Sequence, residues 1–400
     1  MTSISFSPVS GGSAARRAAL IGGILLIAMN LRVPITSVAP VLDQIRQAFS
    51  LSSTEAGMLI TLPLLAFAVV SPLCALLARE YGLERSLFMA LVLIAAGVLT
   101  RSAGPVWCLY VGTLVLGSGI AIGNVLLPSL LKRDFPKKIT QLTAVYALAM
   151  GIAAAVGSVA VIPFSQSSGM GWRFGLGIVV VIPLITGVVW LTQLHSRSAP
   201  AKGTAAPPHG GPVWHSLLAW QVTLFIGLNS FVYYVAAAWL PGILAQGGYS
   251  PEQAGNLHGV MQLASALPGF LLVPLIGRMR DQRLIAFTMS ALAGVGLLGL
   301  WLAPGASFVW VILYGFGAGA ALILGLAFVS LRSAHSQQAA SLSGMAQCVG
   351  YLLAAVGPML AGVVHDMQGG WGATLGVCAA LCMVTAGLGL FCGRSVQVGA

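Results

Sequence analysis

A single arginine, Arg32, lies in the middle of an apolar stretch at residues 19–42 that is long enough to cross a bilayer. A guanidinium stays protonated in proteins and only donates hydrogen bonds. At such a depth it costs roughly 2.5–3.5 kcal/mol unless it faces protein, water or an anion. Arg32 is therefore predicted to bind a substrate. The sequence leaves one alternative open, in which Arg32 pairs with helix-end carbonyl groups or a carboxylate and locks two helices together.

Two neighbours on the same stretch extend this prediction. On a continuous helix Thr36 would lie one turn from Arg32 and share its face, so Thr36 is also predicted to bind substrate. Asp43 would come round to nearly that face about 16 Å farther along and line the outer vestibule. Asn30 would point to the other side of the helix.

A second group of polar side chains lies near residue 230. Gln221, Phe225, Asn229 and Tyr233 recur every four residues and form one stripe on a helix, with Tyr234 beside it. Amide and phenol groups suit a planar, hydrogen-bonding heterocycle or a small anion. Asn229, Tyr233 and Tyr234 are therefore predicted to bind substrate, with hydrogen bonding between helices as the alternative.

Isolated polar residues complete the candidate set. Asn124, Gln262 and Gln347 are predicted substrate-binding residues, each with helix packing as its alternative role. All eight acidic residues lie at helix ends or in loops, so proton coupling is left to Asp43, His258 and Asp366. An arginine without a carboxylate nearby favours an anionic or electron-rich substrate over a cationic drug.

The composition sets the class of protein. Hydrophobic residues make up 58% of the 400 and charged residues 7%, with a mean hydropathy of +0.95, which indicates an all-α integral membrane protein in a lipid bilayer. The six cysteines show no metal-binding spacing, and neither a metal nor a cofactor is predicted. The net charge of +11 is explained below by topology, so no nucleic-acid partner is predicted, and the protein is expected to be a monomer.

Apolar runs bounded by charges or turn residues predict twelve membrane-spanning helices. Their predicted limits are 19–42, 55–78, 86–103, 105–131, 139–163, 172–194, 216–245, 252–277, 283–303, 306–331, 339–364 and 371–392.

The distribution of basic residues predicts the orientation of these helices. With the N-terminus in the cytoplasm, 15 of the 19 basic residues fall in cytoplasmic loops and tails, and only Arg46, Arg101 and Arg173 fall on the opposite side. Because cytoplasmic loops of membrane proteins are rich in Lys and Arg, both termini are predicted to lie in the cytoplasm of a bacterial inner-membrane protein.

An internal repeat divides the chain into two halves. Sliding the chain by 199 residues superposes Arg133 on Arg332 and Trp172 on Trp371. Two pseudo-symmetric six-helix halves follow, a build typical of secondary transporters. The predicted regions are a cytoplasmic N-terminal tail (1–18), an N-terminal six-helix bundle (19–194), a cytoplasmic linker (195–215), a C-terminal six-helix bundle (216–394) and a C-terminal tail (395–400).

Four stretches resemble a known family: LRVPITSVAPVLDQIR, GIAIGNVLLPSLLKRDFP, LAWQVTLFIGLNSFVYYVAAAWLPGIL and SLSGMAQCVGYLLAAVGP. They are similar to the major facilitator superfamily, and within it to the cyanate and 2-nitroimidazole transporter family, most closely its 2-nitroimidazole branch. The resemblance covers essentially the whole chain. It implies a transporter with no enzymatic activity, whose small-molecule substrate is 2-nitroimidazole or a cyanate-like solute.

The functional prediction combines both lines of reasoning. A twelve-helix secondary active or facilitative transporter is expected to move a small polar planar or anionic solute by alternating access, with Arg32 as the main recognition group. Two alternatives remain, a proton-coupled drug exporter of broader specificity and a membrane receptor that does not transport. A membrane-embedded enzyme is disfavoured because the histidines and carboxylates do not cluster in the sequence.

Overall fold

A computed structural model describes residues 14–135, 138–194, 212–276, 278–279, 281–334 and 336–398. Throughout these ranges the chain is helical, with turns and no strand. Twelve helices or groups of helices are long and apolar enough to cross a membrane, which confirms the predicted number. Large apolar side chains such as Val69, Leu184 and Val188 are exposed along them, as expected for a surface that contacts lipid.

Most helix limits fall within a few residues of the predicted ones. The helices are α1 (Ala14–Asn30), α2 (Val33–Thr36), α3 (Leu42–Phe49), α4 (Ser53–Tyr81), α5 (Leu83–Ser102), α6 (Val106–Asp134), α7 (Ile139–Gln166), α8 (Trp172–Gly177), α9 (Val181–Leu191), α10 (Leu217–Gln246), α11 (Pro251–Ile276), α12 (Arg283–Leu302), α13 (Ser307–Leu331), α14 (Ser336–Gln368) and α15 (Gly372–Cys392). The first span comprises α1 to α3, and the sixth comprises α8, a 3₁₀ turn and α9.

The first span is interrupted, which corrects the prediction of a continuous helix at residues 19–42. Helix α1 ends at Asn30, Arg32 precedes α2, and a 3₁₀ turn over Ala39–Val41 leads into α3. Pro34 explains the first break, because proline has no N–H group and its ring clashes with the carbonyl four residues earlier, that of Asn30. Pro40 lies in the second break. The turn from Arg32 to Thr36 stays helical, since the Thr36 amide donates to the Arg32 carbonyl at 3.0 Å. The face predicted for Asp43, by contrast, assumed a continuous helix that the 3₁₀ turn interrupts.

The two six-span sets begin their second helices in the same way. At α4 the Ser52 hydroxyl accepts from the amide of Glu55 at 3.1 Å, and the Glu55 carboxylate accepts from the amide of Ser52 at 2.8 Å. At α11 the Ser250 and Gln253 pair repeats this arrangement at 3.2 and 2.9 Å. Such capping boxes satisfy amide groups that the first turn of a helix leaves unpaired.

Packing within each set also repeats. Arg133 at the end of α6 pairs with Glu84 at the start of α5 at 2.8 Å, and Arg332 after α13 donates to Gln282, which precedes α12. A Cβ on Gly97 would clash with the backbone of α6, and the equivalent atom on Gly296 would clash with that of α13. Glycine at both positions thus lets the third and fourth spans, and the ninth and tenth, approach closely.

The two ends of the molecule differ in charge. We call the end formed by the described loop residues 82, 135, 138, 278–279, 281–282 and 332–334 the basic end. The opposite end, formed by the loops at 50–52, 103–105, 167–171, 247–250, 303–306 and 369–371, is the sparse end. The first six spans contact the last six chiefly through α4 against α14 and α7 against α11.

The regions predicted between and beside the bundles are described only in part. Residues 195–211 of the linker and residues 1–13 of the N-terminal tail lie outside the described residues, and Pro212–His215 form a 3₁₀ helix. Helix α1 begins at Ala14, inside the predicted tail.

Candidate functional site

Arg32 lies at the interruption between α1 and α2, where it meets the last six spans. Its side chain is half-buried, and Nη1 donates a hydrogen bond of 3.1 Å to the hydroxyl oxygen of Tyr233 on α10. The guanidinium carbon lies 5.7 Å from the centre of the Tyr233 ring. Within the described ranges no other hydrogen bond and no carboxylate contact involves this guanidinium. Most of its five donors are thus available to a ligand.

Aromatic side chains surround this cation. Tyr234 packs edge-on against Tyr233 with ring centres 5.5 Å apart, and Tyr351 on α14 packs edge-on against Phe67 on α4 at the same distance. Tyr234 and Tyr351 both lie near enough to Arg32 for electrostatic interaction. The three tyrosine rings, from α10 and α14, and one guanidinium can accommodate a planar or small anionic group.

A chain of polar contacts continues from Tyr233 into the protein. The Tyr233 hydroxyl donates to Gln262 Oε1 at 2.6 Å, and Gln262 Nε2 lies 3.3 Å from Nε2 of His258. His258 is fully buried, and its Nδ1 lies 3.0 Å from the hydroxyl of Ser158 on α7. The chain therefore passes from α10 to α11 and back into the first six spans.

Thr36 belongs to this neighbourhood through main-chain contacts. It is buried, and its hydroxyl donates to the carbonyl groups of Arg32 and Ala154 at 3.2 and 3.3 Å. The hydroxyl thereby satisfies carbonyl groups next to the interruption and holds α2 against α7. The substrate-binding role predicted for Thr36 remains a prediction.

Other predicted residues form no hydrogen bond with Arg32 or with the side chains bonded to it. Asn229 is buried and donates to the Ala318 carbonyl at 3.2 Å, a bond between two helices of the last six spans. Gln347 is exposed and donates to Ser343 on its own helix at 3.0 Å. Asn124 is half-buried, and its side chain bonds to no other described residue. The bond of Asn229 is the helix-packing alternative that the sequence left open.

Two of the candidate proton-coupling residues lie at the sparse end. Asp43 pairs with Arg46 at 3.3 Å on α3. Asp366 accepts from the amide groups of Ser53 and Thr54 at 3.3 and 3.2 Å and so caps α4 from the opposite six-span set. Only His258, the third candidate, is connected by hydrogen bonds to Arg32.

A second buried arginine, Arg101, was not among the predicted site residues. It was assigned to the side of the membrane opposite the cytoplasm. It lies in the last turn of α5, is 2% exposed, and donates from Nη1 to the Pro34 carbonyl at 2.6 Å. Its Nε and Nη2 have no partner among the described residues. The amide of Val38 bonds to Ile35 instead of Pro34, so Arg101 replaces a donor that the interruption removes. The available signal was a charge in the last turn of a helix whose other charges, Glu84 and Arg85, lie in its first turn.

The described residues contain no cluster of three His, Cys, Asp or Glu side chains that could hold a metal ion. The functional groups between the two six-span sets are thus guanidinium, phenol, amide and imidazole groups. They can bind a small solute by hydrogen bonding and stacking, and they can exchange protons.

Comparisons with known proteins agree along nearly the full length. The family profile of the Major Facilitator Superfamily matches residues 20–355. The 2-nitroimidazole transporter of Escherichia coli (strain K12) is 50% identical over 386 residues, covering 96% of this chain and 98% of that protein. The cyanate transport protein CynX of the same organism is 28% identical over 350 residues, covering 87% and 90%.

Solved structures share the fold. A bacterial homolog of the human lysosomal transporter Spinster, in an inward-facing and occupied conformation, matches with a TM-score of 0.75 at 17% identity. The match covers 96% of this chain and 98% of that one. At this level of identity the likeness shows the fold alone.

Proposed function

This chain belongs to the Major Facilitator Superfamily, and we propose that this membrane transporter carries a small planar or anionic solute of the 2-nitroimidazole or cyanate type. Arg32 is its main recognition group, and alternating access between the two six-span sets carries the solute across. The relative that is 50% identical over nearly the whole chain supports this choice of solute.

One observation carries the proposal. Arg32 is held at a helix interruption between the two six-span sets and makes its only side-chain hydrogen bond, among the described residues, to a neutral phenol. Interrupted helices near the midplane commonly form the binding sites of transporters. An arginine that is paired with no carboxylate retains both its charge and its planar donor fork for an anion or a nitro group.

The same arrangement disfavours the alternative of a broad exporter of cationic drugs. The nearest charge to an incoming ligand would be Arg32 itself, which repels a cation. Asp43 and Asp366, which might otherwise neutralise a cation, are engaged at the sparse end with Arg46 and with the start of α4. The favoured substrate is therefore neutral and electron-rich, or anionic.

The bonds between the two six-span sets indicate which side of the site is closed. Thr61 donates to the Ala355 carbonyl at 2.6 Å, and Gln166 donates to Glu252 at 3.0 Å. With the Asp366 cap, these bonds lie toward the sparse end, and no side-chain hydrogen bond between described residues joins the sets at the basic end. The basic end is the cytoplasmic one by the positive-inside rule. The side-chain hydrogen bonds that join the two sets then lie on the outer side of the site, as expected for a conformation that is closed to the outside.

Each chain contains all the groups named for recognition, so a monomer suffices for transport. The two six-span sets act as the moving units, joined by the region at 195–215. We expect the protein to work in this form in the bacterial inner membrane.

Transport by reconstituted vesicles tests the proposal. Uptake of cyanate and of 2-nitroimidazole should be measured for the wild type, Arg32→Ala and Arg32→Lys, with the exposed Arg79→Ala at the basic end as the matched control. We expect both Arg32 variants to lose uptake, because lysine keeps the charge but lacks the planar fork. Normal uptake by a correctly inserted Arg32→Ala variant, or uptake of a cationic drug that does not depend on Arg32, would contradict the proposal.

A further inference from the structure

A groove opens on the lipid-facing surface between the third and sixth spans. It has a volume of about 390 Å³ and is lined by apolar residues of α5 and α9, among them Phe88, Leu91, Ala95 and Gly187. Val188, which also lines it, is 68% exposed. No described side chain fills this space. In a bilayer a lipid chain enters such a gap, because an empty space would deprive the lining atoms of their packing contacts.

The internal repeat shows that the groove is particular to the first six spans. Under the 199-residue shift, Gly294, Cys382 and Gly389 correspond to Ala95, Pro183 and Trp190. A Cβ on Gly294 would lie 3.2 Å from the Cβ of Cys382, and one on Gly389 would lie 2.9 Å from that of Ala286. The ninth and twelfth spans are thus in direct contact at positions where the third and sixth leave a gap.

Trp190 explains the separation of the third and sixth spans. Its indole nitrogen donates to the Glu84 carbonyl at 3.0 Å, and a Cβ on Gly23 of α1 would lie 2.9 Å from its ring. The ring is fully buried and occupies the space between α1, α5 and α9. Glycine stands at the corresponding position 389, where α15 approaches α12 closely. The bulk of the indole therefore keeps α9 from closing on α5.

The length of the groove suits one acyl chain. From Phe88 to Leu99 it follows α5 for about 16 Å, at 1.5 Å per residue. The hydrocarbon layer of one leaflet has about this thickness, since the two leaflets together measure about 30 Å. Ala95 and Gly187 present little or no side chain along this path, which leaves room for the chain.

A cation lies at the basic end of the same helix face. Arg85 precedes Phe88 by three residues and Leu99 by fourteen, so the three side chains share one face of α5. The Arg85 side chain is exposed and forms no hydrogen bond or ion pair with another described residue. An acyl chain in the groove would bring its headgroup to this guanidinium, whose planar donor fork matches a phosphate.

We propose that this groove binds one anionic phospholipid from the leaflet at the basic end, with an acyl chain between α5 and α9 and the phosphate at Arg85. Basic residues beside grooves between membrane helices commonly select such headgroups. The lipid replaces the direct helix contact that the last six spans make through Gly294 and Gly389. It holds the third span to the sixth, and the site is independent of the function proposed for Arg32.

Native mass spectrometry of protein released from nanodiscs with equal amounts of phosphatidylglycerol and phosphatidylethanolamine tests the proposal. We expect the wild-type chain to retain one phosphatidylglycerol molecule. Arg85→Gln should retain about fivefold less, the effect of one basic group at an anionic lipid surface. Gly187→Leu should retain none, because a Cβ there meets only the Phe88 ring, at 3.9 Å, and the longer side chain enters the groove.

Two variants of the last six spans are the matched controls. Arg278→Gln removes an exposed arginine of the basic end, and Gly387→Leu adds a side chain to α15 where a Cβ meets open space. Both should retain the lipid as the wild type does. Equal retention of phosphatidylethanolamine, or unchanged retention in Arg85→Gln and Gly187→Leu, would overturn the proposal. A particle of two chains without lipid would also overturn it and would assign the groove to a second copy.

A photoreactive phosphatidylglycerol with a diazirine in its acyl chain locates the lipid on the unaltered protein. The proposal therefore stays testable if a variant fails to fold. We expect the cross-linked peptides to contain residues 88–99 or 183–191. Labelling spread evenly over the lipid-facing helices, including α12 and α15, would indicate ordinary contact with the bilayer and would overturn the proposal.

Discussion

Two arginines of the first six spans, Arg32 and Arg101, are both withdrawn from the surface, yet their surroundings assign them different tasks. Arg32 is half-buried, bonds to a phenol of the last six spans and keeps spare donors. Arg101 is 2% exposed and bonds within its own set to the carbonyl of Pro34. Burial alone does not identify a ligand-binding cation. The partner group and the position relative to the two moving sets do.

The pair also shows how the interrupted span is maintained. Arg101 occupies the carbonyl group that the break at Pro34 exposes, and Arg32 emerges two residues earlier toward the other six-span set. One arginine thus holds the backbone geometry from which the other reaches into the site. This division of roles can be separated experimentally.

Substituting each arginine in a separate variant should produce the largest change in the affinity for cyanate. We expect Arg32→Ala to weaken equilibrium binding of cyanate by more than about 30-fold, since removing one partner of a close charged interaction costs roughly 2–5 kcal/mol. Arg101→Met should weaken the affinity less, by about threefold to tenfold, because Arg101 acts on the site only through one hydrogen bond to the backbone at Pro34. Equal losses of affinity in both variants would contradict the different roles of the two arginines.

A second prediction concerns the backbone around Pro34. In Arg101→Met we expect the amide groups of residues 35–38 to exchange hydrogen at least about tenfold faster, because a bond donated by a charged group contributes about 1.5–3 kcal/mol. Hydrogen exchange followed by mass spectrometry measures this. Arg32→Ala is the control and should leave these amides unchanged; faster exchange there would show that Arg32 also holds the interruption.

Tyr233 offers a smaller and finer test. Removing its hydroxyl in Tyr233→Phe breaks the link between Arg32 and Gln262 while preserving the ring. We expect the affinity for cyanate to fall by about threefold to tenfold, the value of about one hydrogen bond. Tyr314→Phe, whose hydroxyl bonds to Val232 away from Arg32, serves as the matched control. An unchanged affinity in Tyr233→Phe would mean that Arg32 acts without this phenol.

The smallest expected effect is at the sparse end. Asp366→Asn weakens a charged cap on α4, a contribution of about 0.3–1 kcal/mol, so the population that is open at the sparse end should rise by about twofold to fivefold. Single-molecule distance measurements between labels at the sparse ends of α4 and α14 would record the shift. Opening the sparse end should change the exposure of Arg32 more than that of Arg101. An equal change in exposure would leave only burial in the closed form to distinguish the two residues.

Much of the fold follows from local patterns. Twelve apolar runs, the capping residues Ser52 and Ser250, and the arginines in equivalent loops predicted the spans and the repeat, because each depends on a few neighbouring residues. The interruption of the first span was missed although Pro34 and Pro40 signalled it. Proline is tolerated in several other spans here, such as α4 and α11, so its presence does not decide where a helix breaks.

The candidate site was only partly predictable. Arg32 and Tyr233 were identified separately, but their contact joins residues 201 positions apart and depends on how the six-span sets pack. Asn229 and Tyr233 share one predicted stripe, yet Asn229 bonds to α13 while Tyr233 reaches the first span. The task of Arg101 could not be inferred, since it depends on a carbonyl that becomes free only at the interruption.

The most direct test of the central claim is a crystal structure with bound selenocyanate, a heavier analogue of cyanate whose selenium can be located by anomalous scattering. We predict one selenium site beside the Tyr233 ring, with the anion within hydrogen-bonding distance of the Arg32 guanidinium. Anomalous density at Asn229 or Gln347, or beside Arg101, with none at Arg32, would contradict the account.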